Sequence, residues 1–382
     1  MQERDIADFK AARNNLYGAF ADAAGAIKPL ETDTHILRVA DVAYDAADDE
    51  EKAPERYDYE AQTQAIYGRQ TLGRRLRGTW QLVNKATGDV EEQQRRSLAV
   101  VPRVNEDGTM IYRGTRYAMQ NQTRVKPSIY ARRKKNEEIE SFSNPQQGTG
   151  PSHRYILNPE TGVFYFNIGH SRIPLVEVLR ATGKTDDEIR ETWGDEIAAA
   201  NFKKQDPKAV TKLYEQLVAK KQQVPGADDA TKRMQISQAF GDMRMDPWSM
   251  KRTVGIETDR IDGDTMLAAT KRVLSLSRGE EEADDRDHLA YQTFHTVEDL
   301  IPERVRLDKN SLQRKHLRYA LRNRSLSRIP VALLQGQIEA ALFSSGLAVQ
   351  PDNSNPLDAL DRATRVSKMG EGGLPSIQAT PM

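Results

Sequence analysis

Two apolar runs, each folded back by a turn rich in Asn, Asp, Pro and Gly, limit this chain more than any other feature. In the first, Leu98-Ala99-Val100-Val101 leads through Asn105-Glu106-Asp107-Gly108 to Met110-Ile111-Tyr112, with a further turn at Arg113-Gly114. In the second, Tyr155-Ile156-Leu157 and Val163-Phe164-Tyr165-Phe166 flank Asn158-Pro159-Glu160-Thr161-Gly162. Short β-favouring runs joined this way predict antiparallel hairpins. The surrounding periodicity is helical. Ile6, Phe9, Leu16 and Phe20 share one face of a helix over 5–24. Pro174 opens a helix carrying Leu175, Val178 and Leu179 that ends near Gly183, and Thr185 with Glu188 spells a capping box for the next. Hairpins set among amphipathic helices predict an α+β chain of mixed helices and small antiparallel sheets, and 382 residues suffice for two domains or three.

Further helices follow. Asp206-Pro207 reads as a cap plus first-turn proline for a helix with Leu213 and Leu217 on one face and Lys220-Lys221 in its last turn, broken at Val224-Pro225-Gly226-Ala227. Asp264 caps a helix through Met266, Leu267, Val273 and Leu274 that stops at Gly279. A helix over 331–343 carries Leu333, Leu334, Ile338 and Leu342. Lys+Arg and Asp+Glu are equal at 56 each. That balance argues against a free-standing nucleic-acid coat and permits a subunit with local basic faces. The chain has no cysteine, which excludes disulfides, Cys-based zinc sites and thiol nucleophiles. No apolar run approaches about 18 residues and no leader peptide is visible, so a cytosolic or equivalent compartment is expected.

Charge is distributed in blocks. Asp41, Asp45, Asp48, Asp49, Glu50 and Glu51 suit a solvated surface or linker, and Arg74, Arg75 and Arg77 suit surface before the strand-like Trp80-Gln81-Leu82-Val83. Arg132-Arg133-Lys134-Lys135 suits a solvated turn, and the Gly/Pro/Gln run from Asn144 to Pro151 a domain boundary. The acidic run Glu280, Glu281, Glu282, Asp284, Asp285, Asp287 with His288 allows a metal site or a metal-dependent nuclease. It lacks the spacing and glycine of a calcium loop, and His288 is expected to hydrogen-bond a carboxylate or backbone instead. Residues 301–330 hold nine Lys/Arg against Glu303 and Asp308. Such an element suits phosphate contact or docking on an acidic partner.

The stretch 342–374 reads as an irregular loop of low apolar content. It opens on Ser344, Ser345 and Gly346, turns at Pro351-Asp352-Asn353-Ser354-Asn355-Pro356, carries Arg362 and Arg365, and closes on Gly370, Gly372 and Gly373. Glycines let backbone approach a ligand closely, and arginines suit phosphate. Leu342-x-Ser344-Ser345-x-Leu347, Asp352, Asn355-Pro356-Leu357, Arg365, Ser367, Gly370 and Gly372-Gly373-Leu374 together resemble the rifamycin-pocket and fork-loop region of the bacterial RNA polymerase β subunit. Gly108-Thr109-x-Ile111-x-x-Gly114-Thr115 with Gln122 and Pro127, the run Asn158 to Ile189, and Asp284-Asp285-x-Asp287-His288-Leu289 are similar to further parts of that family. Departures lie at Gly169-His170-Ser171-Arg172, where the family's dense basic cluster is reduced to Arg172. They also lie at Val349, Gln350 and Arg362, where the family has glutamine, phenylalanine and histidine.

The resemblance implies the N-terminal half of a multisubunit DNA-dependent RNA polymerase β subunit, as in the split β subunits of giant bacteriophages. It implies a protrusion-like domain over 1–150 completed by 290–341, a lobe-like domain over 151–289, and the rifamycin-pocket and fork-loop region over 342–382. The implied nucleic-acid contacts are Gln122, Arg172, Asp352, Asn353, Asn355, Arg362, Arg365, Ser367, Gly372 and Gly373. No catalytic or metal-ligating residue is implied in this chain, because the family's magnesium ligands lie in a partner subunit. The implied partners are a C-terminal β fragment, β′-type subunits, the DNA template and nascent RNA, with no membrane. The implied location is the host cytoplasm or the virion. A phage protein that mimics β and blocks host polymerase assembly is the alternative.

Overall fold

The computed structural model describes residues 3–45, 55–134, 138–204, 206–218, 223–312, 317–352 and 355–373. The chain forms two compact units, residues 1–124 with 294–382, and residues 125–293.

In the first unit the strands Leu30–Glu31, His35–Tyr44, Gly73–Asn84 and Val90–Pro102 make an antiparallel sheet in that order. The amphipathic N-terminal helix, Glu3–Gly25, packs along the helix Val297–Leu312. It buries Leu16 and Phe20 completely, in a core with Trp80, Leu98, Leu334 and Ile338. The Asn105–Gly108 turn forms, with the Asn105 N–H donating to the Thr109 carbonyl at 2.8 Å. It does not make the expected hairpin between the runs on either side. Val90–Pro102 has both edges filled: Gly73–Asn84 pairs with one, and the Ala332 and Leu334 N–H groups bond the Ser97 and Leu98 carbonyls on the other. The hairpin belongs to the next turn, between Thr109–Tyr112 and Thr115–Met119. There Arg113 and Gly114 have φ of 49° and 79°, the left-handed pair that a two-residue hairpin turn requires.

The second unit is built on a five-stranded antiparallel sheet in the order Ser171–Pro174, Phe164–Ile168, His153–Leu157, Ile139–Asn144, Ser128–Arg133. The hairpin expected over 154–168 is present, with Tyr155 opposite Phe166. Residues 125–150 pack here and not with the preceding residues, because Ser128–Arg133 and Ile139–Asn144 extend this sheet; the run 144–151 is a loop within the unit. The helices Leu175–Ala181 and Gly263–Arg278 cover the inner face, where the Trp193 indole lies 4.8 Å from the Phe164 ring and donates to Thr270 Oγ1 at 2.8 Å. The capping box is complete: the Thr185 side chain accepts the Glu188 N–H, and the Glu188 carboxylate accepts the Thr185 N–H at 2.8 Å. Two caps differ from expectation. Asp262 caps Gly263–Arg278 and Asp264 pairs with Lys184 at 2.6 Å. Asp206 accepts the Lys208 N–H at 2.9 Å, so the helix starts only at Ala209–Leu217. Lys220 and Lys221 lie outside the described residues. Among the described residues no helix is long and apolar enough to cross a membrane.

Candidate nucleic-acid interface

The stretch 342–373 is more ordered than its composition suggests. Asn355 accepts the Leu357 N–H at 3.0 Å, Pro356 occupies the first turn, and a helix runs over Pro356–Thr364. This is a capped helix with an N-terminal proline, a pattern that also spells a turn. Short strands bracket it. Ala348–Val349 pairs antiparallel with Met119 and Ala118, and Val366–Ser367 pairs parallel with Asn121 and Gln122. Between these ladders the Gln120 N–H donates to the Leu347 carbonyl at 3.0 Å and the Asn121 N–H to the Arg365 carbonyl at 2.9 Å. Both ends of the 347–365 excursion are therefore held by consecutive amides, at the junction of the strands Thr115–Met119 and Asn121–Val125.

Gln122 fixes the closing glycines. It is fully buried; its Nε2 donates to the Met369 carbonyl at 2.7 Å and its Oε1 accepts from Arg124 Nε at 2.6 Å. Gly373 passes so close that an added Cβ would lie 2.5 Å from the Lys368 carbonyl oxygen and 2.7 Å from Gln122 Nε2. Arg124 reaches onward to Glu303 at 2.8 Å and to the Glu371 carbonyl at 3.0 Å, and Arg304 bonds the Glu371 carboxylate and Asp308. These groups border a cavity of about 20 Å³ with room for one water and none for a nucleotide. The network is an anchor between the loop and the helix Val297–Leu312. Burial, and then the Arg124 charge, lower the pKa of His295 beside it.

Arg362, in the last turn of the helix Pro356–Thr364, is half-buried, and Arg365, just past its C-terminus, is exposed. Arg362 bonds Asp358 at 2.8 Å, and Arg365 bonds Asp361; each acid lies one turn earlier. The Asp352 N–H, donated at 2.9 Å, and then Arg362 hold Asp358 below the usual carboxylate range. Ser367 Oγ accepts the Met369 N–H at 3.1 Å, and Gly372 takes a φ of 83° at the exposed turn.

No protein-family model matches the chain. Sequence comparison aligns 332 residues, 80% of this chain, with 30% of the "DNA-directed RNA polymerase subunit beta" of Prochlorococcus marinus at 25% identity. The β subunits of Synechocystis sp. and Synechococcus elongatus are each 26% identical over 77% of this chain and 28% of their own length. The chain is thus similar to RNA polymerase β subunits over about four fifths of its length. It spans less than a third of the length of the β subunits it matches.

The first unit brings together Gln122, Asp352, Asn355, Arg362, Arg365, Ser367, Gly372 and Gly373. Arg172 lies in the second unit, and Asn353 lies outside the described residues. Gln122 is spent internally and is a support for the loop, a correction that follows from its burial. Asn355 likewise acts as a helix cap. Arg124 and Glu371 are the residues that sequence missed, since they are 247 positions apart, and with them the pairing that joins Glu303 and Arg304 of the basic region to the loop. In the acidic run, Asp284 turns inward to accept the Ala131 N–H at 2.7 Å and to pair with Arg272, and His288 accepts the Ala290 N–H at 3.1 Å. Among the described residues no group of three or more His, Asp or Glu is placed to hold a metal ion. In the basic region Arg304 is neutralised by its acids, whereas Arg306, Arg318, Arg322, Arg324 and Arg328 are exposed.

Proposed function

We propose that this chain supplies the protrusion, lobe and fork-loop part of a β-type subunit and lines the main channel of a multisubunit DNA-dependent RNA polymerase. There it holds the RNA–DNA hybrid and the downstream DNA. The observation that carries the reading is the clamped 347–365 excursion, which places Arg362 and the exposed Arg365 at the C-terminal end of one helix, next in the chain to an anchored glycine turn. An exposed i,i+4 ion pair such as Arg365–Asp361 is worth only about 0.3–0.5 kcal/mol. Arg365 can therefore exchange its aspartate for a phosphate, which binds a guanidinium through two charge-assisted hydrogen bonds. Contacts of this type read backbone and tolerate any sequence.

Chemistry belongs to the partners in this reading. A β′-type subunit holds the Mg²⁺ ions of two-metal phosphoryl transfer, the remainder of a β-type subunit meets the triphosphate, and this chain is inactive alone. A giant-bacteriophage source, with the host cytoplasm or the virion as the location, belongs to the same proposal. A decoy that blocks host polymerase assembly is the second reading. It needs an outer docking surface but not the loop, and the buried Gln122–Arg124 anchor is devoted to the loop. Capture of the native protein followed by mass spectrometry separates the two. The polymerase reading expects β′-type and complementary β-type polypeptides in stoichiometric amounts; recovery of host polymerase subunits alone would favour the decoy.

A further inference from the structure

The N-terminal helix Glu3–Gly25 carries one ring outside the interior that it covers. Leu16 and Phe20 are fully buried, whereas Phe9, two turns before Leu16, is half-buried at the margin of that core. Its ring meets the Asn105–Gly108 turn. A Cβ at Gly108 would lie 2.7 Å from two carbons of the Phe9 ring and 2.6 Å from the Ala363 Cβ, so ring, turn and Ala363 converge on one glycine. Gly108 has a φ of 76°, so both its backbone conformation and its missing side chain suit the position. The turn is braced. Lys10 pairs with Glu106 at 3.0 Å, Asp107 accepts the Thr109 N–H at 3.0 Å and pairs with Arg116 at 2.6 Å, and the Gly108 N–H donates to the Asn105 carbonyl at 3.0 Å.

Ala363 is on the helix Pro356–Thr364, next to Arg362 and two residues before Arg365. Ala359 and Ala363, one turn apart, are buried, while Leu357 of the same helix is 72% exposed. Two methyl groups offer little to interlock with the body, so the seat of this helix depends on the surface beneath them. The backbone bonds at Leu347 and Arg365 fix where the excursion leaves and returns. They leave the roll of the helix about its own axis to side-chain contact. A small roll moves the tips of long arginine side chains furthest.

We infer that Phe9 is a positioning residue: through Gly108 and Ala363 it sets the roll of the helix Pro356–Thr364 and thereby the aim of Arg362 and Arg365. The functional side of this inference rests on the proposed phosphate contacts. The mechanical side does not, and the two are tested apart. The mechanical test is amide hydrogen exchange of the purified full chain. Phe9→Ala is expected to speed exchange of the amides from Ala359 to Arg365 about tenfold more than that of Leu82 and Leu98 in the four-stranded sheet. Phe9→Leu should return the rate to within about threefold of the parent, because it refills most of the volume. Lys10→Ala removes a half-exposed ion pair of the same helix and should alter the rate by less than about twofold. The functional test is elongation-complex lifetime in the assembled enzyme. Phe9→Ala should shorten it at low salt. Once Arg362→Ala/Arg365→Ala is present, Phe9→Ala should shorten it by less than about a further twofold, since nothing is left to aim. A rise over 359–365 no larger than that at Leu82 and Leu98, or no recovery with leucine, would overturn the positioning role. Full additivity with the double arginine variant would overturn its link to the charges. Recovery of no polymerase subunits in the capture experiment would remove the phosphate reading, and the exchange rates would still decide the mechanical one.

Discussion

Arg365 shows how a charge can be paired and still be available. Its partner, Asp361, is itself about half exposed and sits one helical turn away, so the pair resembles a solvated i,i+4 contact more than a buried bridge. In the assembled enzyme Arg365→Ala should shorten elongation-complex lifetime most at low salt and make its salt dependence shallower by about one unit or less. Lifetimes measured across a KCl series check this, and identical curves would remove Arg365 from the hybrid contacts. The residues that resemble the family's rifamycin pocket give a second expectation for the proposed polymerase. Val349 has no hydrogen-bonding side-chain atom, and Arg362 puts a longer, charged side chain where the family has histidine. Each lost hydrogen bond costs about 0.5–1.5 kcal/mol and each stranded polar group about 1–3. Two such losses predict resistance of the assembled enzyme on the order of 100-fold. Transcript lengths made in the presence of rifampicin, beside those of a sensitive polymerase, measure it; arrest of both at the same concentration would refute the pocket alignment.

Elements were legible where their signals are local. The box at Thr185 and Glu188, the turn Asn158–Gly162 and the stop at Gly279, with its φ of 72°, need only neighbouring residues. Pairings across the chain were not. Nothing near Gln122 announces that its amide meets Met369, and Asn355-Pro356 spells a turn as readily as the helix start it is. The glycine turn tests that distant fit. Gly373→Ala pushes a methyl group into the Lys368 carbonyl and is expected to destabilise the first unit by about 1–3 kcal/mol, measurable by urea unfolding. In the second unit His153 is buried against Tyr155, Phe166 and Phe240. The Pro151 carbonyl at 3.2 Å can only accept, so Nδ1 carries the proton and Nε2 accepts the Tyr155 hydroxyl at 2.9 Å. Burial lowers the pKa of His153 to about 4. A lowered folded value means that the unfolded chain takes up the proton first. The stability present above about pH 6.5 should therefore decline as the pH falls, by up to about 3 kcal/mol near pH 4. Urea unfolding at stepped pH follows the decline, and replacing His153 with Gln should reduce its slope through that window; an unaltered slope would locate the acid sensitivity elsewhere.

At the scale of the whole molecule, neither unit gathers three or more His, Asp or Glu placed to hold a metal ion among the described residues. The purified chain should make no RNA and cleave no nucleic acid in Mg²⁺ or Mn²⁺, checked by primer extension and nuclease assays; metal-dependent synthesis by the homogeneous chain would overturn the proposed division of labour. The α+β class followed from periodicity, whereas the boundary at 124 did not, because strand partners and not linker composition decide where residues 125–150 belong.

The neighbouring amides of Gln120 and Asn121 have a consequence of their own. Residues 347 and 365 leave and rejoin the body at adjacent amides, so the intervening chain is a closed bight, tied down again where Ala348–Val349 pairs with Met119 and Ala118 and where Ala359 and Ala363 are buried. Doubling a flexible loop costs only about 0.6 kcal/mol in closure entropy. Extra length is thus tolerated in the turn between these ties, and the counterpart segment of a polymerase β subunit could be spliced between the same two amides where it keeps the packed positions of Ala348, Val349, Ala359 and Ala363.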